Sequence, residues 1–116
     1  MICHITVITA KLQESVEFYQ WLLGLPIAKK IAAKGKEIVF LGNGETKLEL
    51  IADSQAKMIG TKGITIGFKV DNLDNKIAML ESKNIAHSQI ILVPNARFVY
   101  FTDLNGCNIQ LFEGEA

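Results

Sequence analysis

Residues 47–51 read Lys-Leu-Glu-Leu-Ile, and residues 108–112 read Asn-Ile-Gln-Leu-Phe. The two stretches lie 61 positions apart, and both look like closing strands. The same offset carries Ile5 onto Ile66, Leu12 onto Leu73, Val16 onto Ile77, Phe40 onto Phe101 and Leu50 onto Leu111. One unbroken offset over strand-like and helix-like runs marks a chain made of two copies of one unit. A site at the pseudo-symmetry axis of such a pair takes equivalent positions from both copies.

Working outward from the first stretch, residues 2–9 are rich in Ile, Val and Thr and alternate as a strand does. Residues 12–23 switch to helical spacing through Leu12, Val16, Tyr19, Leu22 and Leu23. Gly24 suits the left-handed exit of that helix, and Pro26 prevents its resumption. Residues 27–33, 37–41 and 47–52 are predicted strands, with Gly42-Asn43-Gly44 as a hairpin signal between the last two. The polar segment 53–62 holds little pattern and is expected to link copy 1–52 to copy 63–116.

The second copy repeats the order. A strand is expected over 64–70. Asp71 or Asn72 is the candidate cap of a helix running from Leu73 to about Lys83, which Asn84 ends. Strands are expected over 87–93, 97–102 and 107–113, with a turn at Asn105-Gly106. The class is therefore α+β, built of paired βαβββ modules. Three short strands after each helix exclude a bundle or a doubly wound parallel sheet. Joined edge to edge, the modules are expected to make a curved mixed sheet with helices on its convex side and a concave cup, the natural ligand site.

Composition bounds the function. The 116 residues suit one domain able to bury a core unaided. Lys plus Arg and Asp plus Glu balance at 12 each, so nothing steers the chain to nucleic acid. The lysines at 29, 30, 34 and 36 are read as a solvated face. Cys3 and Cys107 show neither disulfide nor zinc spacing, which suits a reducing compartment. The apolar N-terminus lacks a basic flank, and no run reaches membrane-spanning length. The expectation is a cytoplasmic chain without membrane contact.

Certain residues together resemble a known family. They are His4, Phe18-Tyr19 with Leu23-Gly24, Leu48-Glu49-Leu50-Ile51, Val70-Asp71-Asn72-Leu73, and the run Phe101-Thr102-Asp103-Leu104-Asn105-Gly106-Cys107-Asn108-Ile109-Gln110-Leu111-Phe112. The chain resembles the vicinal oxygen chelate superfamily of glyoxalase I, bleomycin- and fosfomycin-resistance proteins and extradiol dioxygenases. The run 101–112 resembles the family's F-x-D-P-D-G-N-x-x-E-L-F pattern, with Leu104 replacing the usual Pro and Asn105 the second Asp.

The resemblance implies four site positions, His4, Glu49, Thr65 and Gln110, which the internal offset pairs as His4 with Thr65 and Glu49 with Gln110. In metal-dependent members these positions hold a divalent nickel, zinc, manganese or iron ion. Here the strong donors are His4 and Glu49, with Gln110 a conceivable third and Thr65 a weak one. An amide at 110 cannot return a proton, which removes one base of glyoxalase-type isomerisation. A dioxygenase iron set would keep His4 alone.

Three functions are therefore open. The first is a small-molecule-binding protein with a degenerate metal site and no cofactor, contacting its ligand through His4, Glu49, Thr65, Phe98, Tyr100 and Gln110. The second is a metal-dependent lyase or isomerase using His4, Glu49 and Gln110, with Glu49 as catalytic base. The third is a dimeric scaffold with no small ligand. A homodimer is expected by resemblance and because open sheet edges need covering. His87 and Arg97 are read as exposed, and Trp21 as core or interface.

Overall fold

The computed structural model describes residues 1–60 and 62–115. Thr61, inside the expected linker, and Ala116, at the end of the second expected copy, lie outside the described residues. The chain folds as two compact units, Met1–Lys57 and Met58 onward.

The first unit runs β1 (His4–Thr9), α1 (Leu12–Leu23), β2 (Ile27–Ala33), β3 (Lys36–Leu41) and β4 (Lys47–Ala52). Its sheet order is β1-β4-β3-β2, with β1 parallel to β4 and the other pairs antiparallel. The periodicity that predicts α1 also decides what it buries: Val16, Tyr19 and Leu22 are buried, as are Val7, Val39, Leu41, Leu48 and Leu50 of the sheet. Burying one such side chain stabilises the fold by about 1.5–3 kcal/mol. Gly24 ends α1 at φ +63°, its N–H bonded to the Gln20 carbonyl at 2.9 Å. The β2–β3 turn is Lys34-Gly35, both at positive φ, the backbone that matches strand twist in a two-residue hairpin.

The second unit repeats the order as β5 (Ile66–Lys69), α2 (Leu73–Ser82), β6 (Ile91–Val93), β7 (Ala96–Thr102) and β8 (Asn108–Gly114). Its sheet is β5-β8-β7-β6, with β5 parallel to β8. Asn72 is the cap of α2, its Oδ1 accepting from the Asn75 N–H at 3.0 Å. Asn84 takes the left-handed exit at φ +57°. Leu73, Leu80, Val99, Phe101, Ile109 and Leu111 form the core.

Three expectations need revision. The strand expected over 87–93 shrinks to Ile91–Val93, preceded by an isolated bridge from His87 to Phe101. Ser88 explains the break, because its hydroxyl oxygen takes the Tyr100 N–H at 2.9 Å and replaces a ladder bond. The segment 53–60 is better ordered than its composition suggests. Asp53 closes a turn by accepting from the Gln55 and Ala56 N–H groups, and Ile59 donates its N–H to the Asn105 carbonyl at 2.7 Å.

The third revision concerns the offset. Ile5 pairs with Leu48 as Ile66 pairs with Ile109, so 61 holds for the parallel pairs. But Phe40 pairs with Glu49, whereas it is Tyr100 that pairs with Gln110. The equivalent of Phe40 is therefore Tyr100, and Leu41 corresponds to Phe101. Seven residues separate Phe101 from its partner Ile109, against six between Leu41 and Leu48. In a strand, a slip of one residue reverses which face a side chain occupies.

Candidate functional site

In the first unit, Leu48 and Leu50 are buried in the core that α1 covers, so Glu49 between them emerges on the opposite sheet face. Thr6 is its register partner on β1 and Phe40 its partner on β3. The Thr6 hydroxyl donates to Glu49 Oε1 at 2.5 Å, and His4 Nε2 lies 3.4 Å from the same oxygen. The Glu49 side chain is only 11% exposed, while that of His4 is 39% exposed. The His4 ring meets Phe40 edge-on at 5.6 Å between centroids, and Lys29 Nζ sits 5.9 Å from the Phe40 ring centre. Cys3 Sγ approaches His4 Nδ1 at 3.4 Å. Sequence reasoning brought out His4 and Glu49. It missed Thr6, whose alternation with Val7 on β1 was the available signal.

In the second unit the equivalent face carries Gln110 on β8, Tyr100 and Phe98 on β7, and Gly67 on β5. Phe98 and Tyr100 share that face, as alternation predicted, with their rings edge-to-face at 5.5 Å. Phe112 stacks on Phe98 at 5.9 Å. Gly67 stands where the first unit has Thr6. A Cβ there would lie 3.0 Å from Gln110 Oε1, so the amide lies over bare backbone. The hydroxyl that holds Glu49 has no counterpart for Gln110.

A concavity of about 590 Å³ opens beside this face. Thr65, Tyr100, Thr102 and Asn108 line it from the sheet, and Ile85 to His87 line it from the segment after α2. His87 is half-buried rather than exposed. Its Nδ1 faces the Ser88 carbonyl at 2.6 Å and its Nε2 faces Glu81 Oε2 at 3.0 Å. Two acceptors ask both ring nitrogens to donate, so these bonds raise its pKa above the ordinary 6.5. Arg97 is likewise not a free surface cation. Its Nε donates to Glu113 Oε1 at 2.9 Å and its Nη2 to Asp74 Oδ2 at 3.1 Å. Glu113 also accepts the Leu73 N–H at 2.8 Å, so this pair anchors the start of α2. Trp21 is half-buried and packs against Phe18 at 6.0 Å.

The four positions that the resemblance implies for a divalent ion supply one imidazole, one carboxylate, one hydroxyl and one amide. Among the described residues no group of three His, Cys, Asp or Glu side chains converges. The donors present thus fall short of the three strong protein ligands a catalytic zinc takes, and further short of an octahedral set. They do not fit the ion of the metal-dependent relatives.

Two βαβββ units, each a mixed four-stranded sheet with one helix, and a polar pair on the face away from the helix define an α+β protein of the vicinal oxygen chelate class. The sequence model of the Glyoxalase/Bleomycin resistance protein/Dioxygenase superfamily matches residues 1–111, and the chain belongs to that superfamily. Solved structures agree in fold. The trypanothione-dependent glyoxalase I of Leishmania major superposes with a TM-score of 0.81 at 21% identity, covering 97% of this chain and 86% of that one. A glyoxalase family protein from Enterococcus faecalis gives 0.76 at 21% identity, covering 97% of each chain. TnmS3, an antibiotic binding protein from Streptomyces sp. CB03234, gives 0.79 at 17% identity, covering 99% of this chain and 96% of that one. No curated protein matches the chain by sequence.

Proposed function

We propose that this chain is a small-molecule-binding protein of the glyoxalase/bleomycin-resistance kind, one domain made of two repeats, with its metal-holding set reduced. The observation that carries this reading is the state of Glu49. Its carboxylate is nearly buried and turned to Thr6 and His4 of its own sheet. The repeat-related Gln110 can neither ligate strongly nor act as a base. Ligand contacts would come from His4, Glu49, Thr65, Phe98, Tyr100 and Gln110. TnmS3, which shares the fold, is an antibiotic binding protein.

Among the described residues no helix is long and apolar enough to cross a membrane. Two free thiols suit a reducing, cytoplasmic setting. The edge strands β1 and β2, and β5 and β6, give a physical motive for a homodimer.

The second reading is a glyoxalase I-type isomerase with Glu49 as its base. The proximity of His4 and Glu49 at 3.4 Å favours it. Elemental analysis of protein purified without chelator separates the two. Metal-free protein that is stabilised by organic molecules, and not by nickel, zinc or manganese, supports the binding protein. A stoichiometric transition metal lost in Glu49→Gln overturns it.

A further inference from the structure

Cys3 precedes β1, yet its backbone is held in place. Its carbonyl accepts the Lys47 N–H at 2.9 Å, and the Ile2 carbonyl accepts from the Thr46 hydroxyl at 2.7 Å. The thiol is exposed, and its Sγ lies 3.4 Å from His4 Nδ1. On the other side of the same ring, Nε2 lies 3.4 Å from Glu49 Oε1, the oxygen that also accepts the Thr6 hydroxyl. A carboxylate beside Nε2 keeps the ring proton on that nitrogen, which leaves the Nδ1 lone pair facing the thiol. Phe40 meets the ring edge-on at 5.6 Å and limits its rotation. All of these residues belong to the first unit, Met1–Lys57. A nucleophile, a base and a third group that orients the base thus stand in one line, the arrangement that activates a side chain for attack.

We infer that Cys3 is a nucleophile that captures α,β-unsaturated carbonyl compounds, with His4 as its base and Glu49 positioning the ring. The inference rests on the small-molecule-binding reading and names a ligand class for the face of the first unit. The thiol sulfur forms a bond to the β-carbon, and the π pair of the double bond moves onto the α-carbon. The thiol proton passes to His4 Nδ1 and from there to the α-carbon. Nothing leaves, and no oxidant or reductant is consumed. These residues supply that reaction in full. Acyl transfer expels a leaving group and needs donors aimed at an oxyanion, whereas conjugate addition asks only for a nucleophile and a proton carrier. Disulfide chemistry needs an oxidant and a second thiol within reach, and the only other cysteine of the sequence, Cys107, is 2% exposed. The exposed thiol and the half-open His4 side chain, 39% exposed, leave the electrophile a path to Sγ.

The test follows alkylation of the full chain by acrylamide near neutral pH, with intact mass for the rate and peptide mapping for the site. The reference is an unfolded peptide spanning residues 1–5, which keeps the neighbours of Cys3 but lacks Glu49. Cys3 of the folded chain should react roughly tenfold faster than the peptide, or more, as general-base assistance requires. His4→Asn should bring the rate down to that of the peptide. Glu49→Gln should lower it part of the way, because the base remains but its tautomer is no longer held. Cys107 should stay unmodified in each folded variant and so reports folding in the same experiment. Where a variant unfolds and labels both thiols, the comparison of native chain with peptide decides. Equal rates for chain and peptide overturn the inference, and so does an unchanged rate in folded His4→Asn. Either result leaves the binding-protein reading standing, since binding needs no covalent bond. A stoichiometric metal lost in Glu49→Gln brings down both, because His4 and Glu49 would then be its ligands.

Discussion

The Thr6 hydroxyl donates to Glu49 Oε1 at 2.5 Å, across the parallel pairing of β1 and β4. It supplies a donor to a carboxylate with 11% of its side chain exposed. Thr6→Val removes the donor while nearly keeping the shape. It should destabilise the chain by about 1–2 kcal/mol in urea unfolding, the cost of leaving a largely buried acceptor short of a partner. Thr6→Ser should retain most of the stability. Equal midpoints for Val and Thr at this position would show that the bond contributes nothing.

Gly106 is the most constrained turn position. Its φ is +86°, and a Cβ on it would stand 2.3 Å from the Ile59 carbonyl oxygen. Gly24, at φ +63°, has open space around the same point. Gly24→Ala should therefore cost about 1–2 kcal/mol, the left-handed penalty alone. Gly106→Ala must also push the backbone of Ile59 away and should cost more. Denaturant midpoints of the two variants check the order.

The two thiols should react unequally. Cys107 is buried, and burial, with Asp103 nearby, pushes its thiol up to about 11. Cys3 is exposed. Thiolate is the reactive form, so native protein should titrate one thiol with dithiobis-nitrobenzoate near neutral pH, and denatured protein two. Two fast native equivalents would contradict the burial of Cys107.

His87 makes stability depend on pH with a definite sign. The Ser88 carbonyl, then Glu81, raise its folded pKa above 6.5. A raised histidine binds its proton more tightly when folded, so its contribution is complete below about pH 6.5 and fades as pH rises through the folded value. The melting deficit of His87→Gln should be largest in mild acid and shrink on the alkaline side. Proton NMR of the His87 ring should show a midpoint above 6.5, which falls in Glu81→Gln.

The local signals were legible because they act over a few residues. Gly24 and Asn84 take the left-handed exits read for them, and Asn72 caps α2 with its own side chain. What the chain hid was pairing at a distance. His87 and Arg97 look like surface cations in sequence, yet His87 is held by Glu81 and Ser88, and Arg97 by Asp74 and Glu113. Arg97 meets Asp74 and Glu113 only once α2 and the β7–β8 ladder have formed. Thr6 carried only its alternation on β1 and Gly67 no signal at all, because their difference matters only beneath Glu49 and Gln110. The offset erred at Phe40 for the same reason. The composition of a turn does not say which residue it leaves opposite which, and one extra residue between the paired positions of β7 and β8 brought Tyr100 instead to the site face.

Sequence alone determined the order of the elements and the α+β class, because periodicity, caps and turn residues are properties of neighbours along the chain, and its motif runs carried the resemblance to the superfamily. Only the tertiary structure decided which polar groups are engaged with one another. Strand register brings Thr6, His4 and Glu49 together in one unit and sets Tyr100 beside Gln110 in the other. Register depends on the hydrogen-bond ladder between distant segments, where a shift of one residue exchanges core for site.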